Sequence, residues 1–211
     1  LLADAVEKTT NGKYKDFSMT EDERYELYIA SWLHDCGKVA TPPHIVDKAT
    51  KLETITDRIQ TVDTRFEVKK RDIEISMLKK QIQLMKNGSA NDAMDKIKLE
   101  YEKVLDQLND DRYFIHKTNL GGEFMMEDEK KRVEEIGNYK WVSDGNEIPF
   151  LNEEEVRNLQ IPKGTLLPEE REIINDHIVI TIEMLEKLPY PKKLKNVPEF
   201  AGAHHEKLDG T

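Results

Sequence analysis

The sequence predicts a mainly all-α fold in which a long antiparallel helical hairpin is inserted among shorter helices, with room for one small β-hairpin. Apolar residues recur at steps of three and four over two long stretches, 52–73 and 94–115, the rhythm of helices that pair along a stripe. Capping residues and acidic first turns mark helix starts near Thr20 and Pro168. Strand-like apolar residues around a turn signal occur together at 139–151.

Composition narrows the classes. Of the 211 residues, 37% are hydrophobic and 35% charged, which is lean for one compact core and implies that part of the chain projects into water. Mean hydropathy is −0.71, in keeping with that. A formal charge of −10 argues against a nucleic-acid polymer or an anionic membrane as partner, since both reward a basic surface. It leaves open a small phosphate substrate whose charge is offset locally. Cys36 is the one cysteine, so no internal disulfide can form and a cytoplasmic setting is expected. No run nears the roughly 18–20 apolar residues of a membrane span, and none reads as a signal peptide. Leu1-Leu2-Ala3-Asp4-Ala5-Val6 reads as mid-helix and Asp209-Gly210-Thr211 as an open loop, so the chain is expected to be a piece of a longer protein.

The opening helix, residues 1–8, ends at Asn11-Gly12. Thr20 then caps a helix with Glu23 in capping-box position. Leu27, Ile29, Ala30, Trp32 and Leu33 predict a largely buried helix that delivers His34 and Asp35 at its inner end. Gly37 allows the turn beyond it, and Thr41-Pro42-Pro43 stops helical continuation. Leu52, Ile55, Ile59, Val62, Phe66 and Ile73 define the first arm of the hairpin, about 50 Å long at helical rise. Met94, Ile97, Tyr101, Val104, Leu108 and Ile115 define the second, after a loop at 86–92. Asn119-Leu120-Gly121-Gly122 ends that arm, and a charged helix follows over 127–136. Tyr139–Val142 and Ile148–Leu151 predict the β-hairpin. Pro168 opens a helix on which Ile173, Ile174, His177, Thr181, Met184, Leu185 and Leu188 share one face. A last helix is expected over 198–206, with Ala201-Gly202-Ala203 allowing close approach just before His204-His205.

Only six histidines occur, and three of them fall in His34-Asp35-Cys36-Gly37-Lys38 and His204-His205-Glu206-Lys207-Leu208-Asp209-Gly210. An imidazole beside a carboxylate suits a site with more than one divalent cation, because the carboxylate can bridge two ions through its separate oxygens. The His34-Asp35 dipeptide alone is weak evidence, since a polar helix terminus would look the same. Burial of two ionisable groups demands partners for them, and Lys38 one turn onward suits a phosphate oxygen. His177 alone reads as a core histidine and gains weight as a ligand from the other two clusters. Adjacent residues of a helix point about 100° apart, so His204 and His205 can serve neighbouring ions. Cys36 reads as a small core residue, and His44 and His116 as surface residues.

Taken together, Trp32-Leu33-His34-Asp35-Cys36-Gly37-Lys38-Val39, Lys48-Ala49-Thr50-Lys51-Leu52, the helix bearing His177, and the His204-His205-Glu206 motif resemble the HD-GYP family. Its members are bacterial metal-dependent phosphodiesterases of the HD superfamily that degrade cyclic di-GMP. The likeness covers about residues 1–52 and 166–211. It implies an HD-type helical bundle formed by 1–52 and 166–211, interrupted by an insertion at 53–165. That insertion comprises a helical hairpin (53–117) and a small mixed segment (118–165). The resemblance further implies a hydrolase with two or three divalent metal ions, iron or manganese. His34, Asp35, His177, His204 and His205 match ligand positions, with Asp35 bridging, and Lys38 matches the lysine on substrate phosphate; Asp35 and Lys38 are the implied catalytic pair. Asn119-Leu120-Gly121-Gly122-Glu123-Phe124-Met125 and the hairpin resemble members that act as cytoplasmic output domains of sensory proteins in signal transduction.

Three family features are missing: a His before the HD helix, a Gly-Tyr-Pro, and a later Asp. Their absence is assigned to truncation of the chain. Two other functions stay in view, an HD phosphohydrolase for another nucleotide and a catalytically degenerate signalling module that binds a partner through its heptad arm. The same heptads suit a homodimer.

Overall fold

The computed structural model describes residues 2–87 and 91–207. The tip of the expected loop at 88–90 and the Leu208-Asp209-Gly210 end of the second histidine motif lie outside them. Along the described chain run α1 (Leu2–Glu7), α2 (Glu21–Leu33), α3 (Pro43–Val46), α4 (Ile59–Lys86), α5 (Asn91–Asn119) and α6 (Glu127–Gly137). A two-stranded antiparallel sheet follows, β1 (Lys140–Ser143) with β2 (Asn146–Pro149). Then come α7 (Glu153–Leu159), α8 (Pro168–Asn175), α9 (His177–Glu186) and α10 (Val197–Gly202). The fold is mainly all-α, as the periodicities predict. No helix among the described residues is long and apolar enough to cross a membrane.

The chain divides into two compact units, residues 1–42 with 170–211, and residues 43–169. Residues 43–52 belong to the second unit.

In the first unit, Thr20 caps α2: its hydroxyl accepts from Glu23 N at 3.3 Å, while the Glu23 carboxylate accepts from Thr20 N at 2.7 Å. Arg24 ties α2 to α1 through Asp4 and Glu7. The core is small: Ala30, Leu185, Val197 and Ala201, with Leu33, Cys36 and Tyr190 against it. Small residues at Ala30 and Ala201 bring α2 and α10 close, and α10 also packs on α9. Glu26 is buried and holds the start of α10, accepting from Asn196 N at 2.6 Å and Asn196 Nδ2 at 3.1 Å.

Two expectations are corrected here. α2 is not largely buried: Glu26 and Ala30 alone are, while Tyr25, Tyr28 and Trp32 are exposed, because α10 covers just one side of the helix. The long helix expected from Pro168 is two helices broken at Asp176, and its buried face narrows to His177, Thr181 and Leu185, with Ile173, Met184 and Leu188 exposed.

The second unit is the better packed. α4 and α5 form the antiparallel hairpin, and Val62, Phe66, Leu108, Phe114 and Ile115 at its base join Val133, Ile136, Phe150 and Leu159 in one cluster. Phe66 and Phe150 meet edge to face, centroids 4.7 Å apart. α4 begins at Ile59, so this arm is about 42 Å long rather than 50. Leu52 is buried in the preceding loop, its N–H donating to Asn119 Oδ1 at 2.8 Å, and Ile55 is exposed. The β-hairpin turns at Asp144 and Gly145, both with positive φ (51° and 76°), the geometry that an Asp-Gly pair favours. α7 had no place in the sequence reading, although Asn152 and Glu155 form a capping box at its start.

Candidate metal centre

Four imidazoles surround one carboxylate in the first unit. His34 is the C-cap of α2, and Asp35 follows at the head of a 3₁₀ turn, Cys36–Ala40. His177 is the first residue of α9. His204 and His205 sit on a 3₁₀ turn, Ala203–His205, after α10, so the expected helix over 198–206 ends early. His34 Nε2 lies 3.2 Å from Asp35 Oδ2; His177 Nε2 and His204 Nε2 lie 3.2 and 3.7 Å from Asp35 Oδ1. The rings of His204 and His205 are 4.3 Å apart between centroids, and His205 is 5.1 Å from His177. His177, His204 and His205 each offer a ligand atom within 4.8 Å of the others, a set able to hold a metal ion.

The tautomers are set by the helices. His34 Nδ1 is 2.8 Å from Ser31 O and His204 Nδ1 2.6 Å from Ala201 O, and His177 Nδ1 contacts Ile174 O. A carbonyl oxygen can only accept, so each Nδ1 carries a proton, and in the neutral ring each Nε2 then presents its lone pair toward Asp35. Such a backbone bond behind an imidazole is the usual support of a ligating histidine.

His177 supplies the sharpest test of fit. It is 2% exposed, and its Nε2 has no hydrogen-bond partner. A buried lone pair 3.2 Å from a carboxylate oxygen sets two acceptors face to face, an arrangement that a cation between them would satisfy. The donor set, imidazole nitrogen plus carboxylate oxygen, suits a first-row divalent metal.

Lys38 Nζ donates to Asp35 Oδ2 at 2.7 Å. Burial raises the Asp35 pKa, but the hydrogen bond and positive charge of Lys38, with the imidazoles of His34 and His177 close by, outweigh it and hold the carboxyl below its ordinary value. Burial, then the neighbouring His204 and His177 rings, push His205 below the usual imidazole range, which favours the neutral form that ligates.

The HD turn is locked to α9 at one point. Thr181 Oγ1 accepts from Gly37 N at 2.9 Å and donates to His34 O at 3.3 Å. A Cβ on Gly37 would lie 2.1 Å from His177 O, so only glycine permits this approach. Sequence reading placed Thr181 on the face of His177 without a role, and did not single out Glu26. Thr181 could have been found as the i+4 neighbour of a ligand candidate; nothing local distinguishes Glu26. His44 and His116 are exposed and stand in the second unit, His116 pairing with Asp63 at 2.8 Å.

Residues 153–211 match the family model of the HD domain, which supports an HD superfamily phosphohydrolase domain there. That span carries His177, His204 and His205, while His34 and Asp35 lie outside it. No curated protein and no solved structure matches the chain.

Proposed function

We propose that the chain is the HD-GYP type of HD domain, a metal-dependent phosphodiesterase that hydrolyses cyclic di-GMP as the output of a bacterial signalling protein. The observation that carries the metal-dependent part is the unpartnered, buried Nε2 of His177 facing Asp35. The HD-domain match supports the hydrolase class, and the order of the His-Asp and His-His-Glu motifs supports the substrate.

His34, Asp35, His177, His204 and His205 would hold two or three divalent cations, iron or manganese. Cations bound there stabilise negative charge on phosphoryl oxygens and lower the pKa of water. The backbone carbonyls behind three imidazoles keep their Nε2 atoms aimed inward. Lys38, partly exposed beside Asp35, would bind a phosphate oxygen of the substrate. Thr181 holds the HD turn against α9 and so keeps His34 in reach of His177.

The test is metal analysis of the chain paired with product identification on a panel of cyclic and linear nucleotides. Bound iron or manganese and cleavage of cyclic di-GMP are expected, and Asp35→Asn should lower the rate about a thousandfold or more with its far-ultraviolet circular dichroism unchanged. Cleavage of other nucleotides with cyclic di-GMP left intact would overturn the substrate. A chain that takes up no metal would overturn the enzyme.

A further inference from the structure

α4 carries apolar side chains on two faces. Ile73 and Met77 line one cleft with Ile97 and Tyr101 of α5, and Leu84 continues that half-buried stripe. Ile75, Leu78, Ile82 and Met85 form a second stripe, 48%, 45%, 52% and 62% exposed. At helical spacing its centre lies roughly 140° around α4 from the first. The hairpin therefore consumes one stripe and leaves the other half open to solvent. An isolated exposed Leu or Ile needs no explanation, but a contiguous row of four does.

We propose that this outer stripe is a self-association surface on which a second copy of the chain docks, α4 against α4, parallel and in register, as a two-stranded coiled coil. The steps of three, four and three place Ile75 and Ile82 at a positions and Leu78 and Met85 at d positions. β-Branched residues at a with Leu at d are the combination that favours two parallel strands. Charge agrees with that direction. Glu74 takes a g position and faces Lys79 at e of the second copy, and symmetry makes this pair twice. Gln81 meets Lys86 in the same relation without repulsion. Antiparallel docking would instead set Lys79 against Lys79. Arg71, one heptad before Leu78, occupies the next d position and ends the stripe. Contact is thus confined to about two heptads, and an interface of that size gives a weak, reversible dimer.

Sedimentation equilibrium of the full chain, over a micromolar to millimolar range, tests the proposal. A concentration-dependent monomer–dimer equilibrium is expected. Ile82→Asp should weaken it about tenfold or more at unchanged helicity, since the substituted side chain is already half exposed. Glu74→Lys should weaken it about threefold, and the exchange Glu74→Lys with Lys79→Glu should restore it to within about twofold. Mild oxidation of Leu78→Cys chains should link two copies through the introduced thiols, with peptide mapping to separate this from Cys36. A monomer at every concentration, or a dimer indifferent to Ile82→Asp, overturns the proposal. Linkage that forms only when Leu78→Cys and Ile82→Cys chains are mixed overturns the parallel arrangement.

Discussion

Lys51 in the second unit and His177 in the first are each 2% exposed, and both are titratable groups taken out of water. Lys51 Nζ donates to Leu159 O at 2.9 Å and Ile161 O at 2.7 Å. Asp111 of α5 is treated alike, accepting from Arg132 at 2.8 Å and Tyr139 at 2.6 Å. These groups are matched by the protein itself, within a core of a dozen buried apolar residues. His177 is different. Its second nitrogen faces a carboxylate across 3.2 Å, in a unit whose buried apolar cluster has four members. A buried polar group is tolerated when the fold supplies its partner, and one left facing a like acceptor suits a cation between them.

The largest expected effect separates stability from chemistry. Phe66→Ala removes a fully buried ring that meets Phe150, and should cost about 3–5 kcal/mol in urea denaturation. Metal content of the folded protein should be unchanged. Loss of both together would dissolve the contrast between the units.

Gly37→Ala acts in the opposite sense. The added methyl would collide with His177 O and push the HD turn off α9. Metal affinity, followed by calorimetry, should fall about 10–100-fold, the range seen when the supports of a ligand are disturbed. An unaltered affinity would mean that the turn does not set the spacing of His34 and His177.

The smallest effect concerns Lys51, whose pKa burial lowers from 10.5 to about 8. Below that pH both folded and unfolded chains carry the proton, and the burial penalty is fully present. As pH rises from about 8 toward the unfolded value, the folded chain sheds its proton first, so stability gains up to about 1.5 kcal/mol by roughly pH 9.5. In Lys51→Met that rise should be missing from urea curves taken across the same window. An identical rise in both proteins would show that Lys51 keeps an ordinary pKa.

Much of the secondary structure was legible because its causes are local. The Thr20-Glu23 box, the Asp144-Gly145 turn and the heptads of α5 act over a few residues and formed where expected. Where partners decide, the reading went astray. α2 looked buried because its apolar residues are dense, yet burial needs a neighbour on each side, and α10 supplies one. The break at Asp176 is invisible to propensity, since every residue from Pro168 to Glu186 tolerates helix. α7 was overlooked although its capping box was present in the sequence.

By itself the sequence determined a mainly helical chain, the existence and spacing of the hairpin, and the residue types that can ligate a cation, because periodicity, caps and side-chain chemistry are properties of neighbours along the chain. Tertiary structure alone decided that His177 and His204 reach the carboxylate beside His34, that Gly37 and Thr181 lock two distant segments, and that Lys51 is caged by carbonyls. Those outcomes depend on distances between residues more than a hundred positions apart, and such distances are set by packing, which no local pattern encodes.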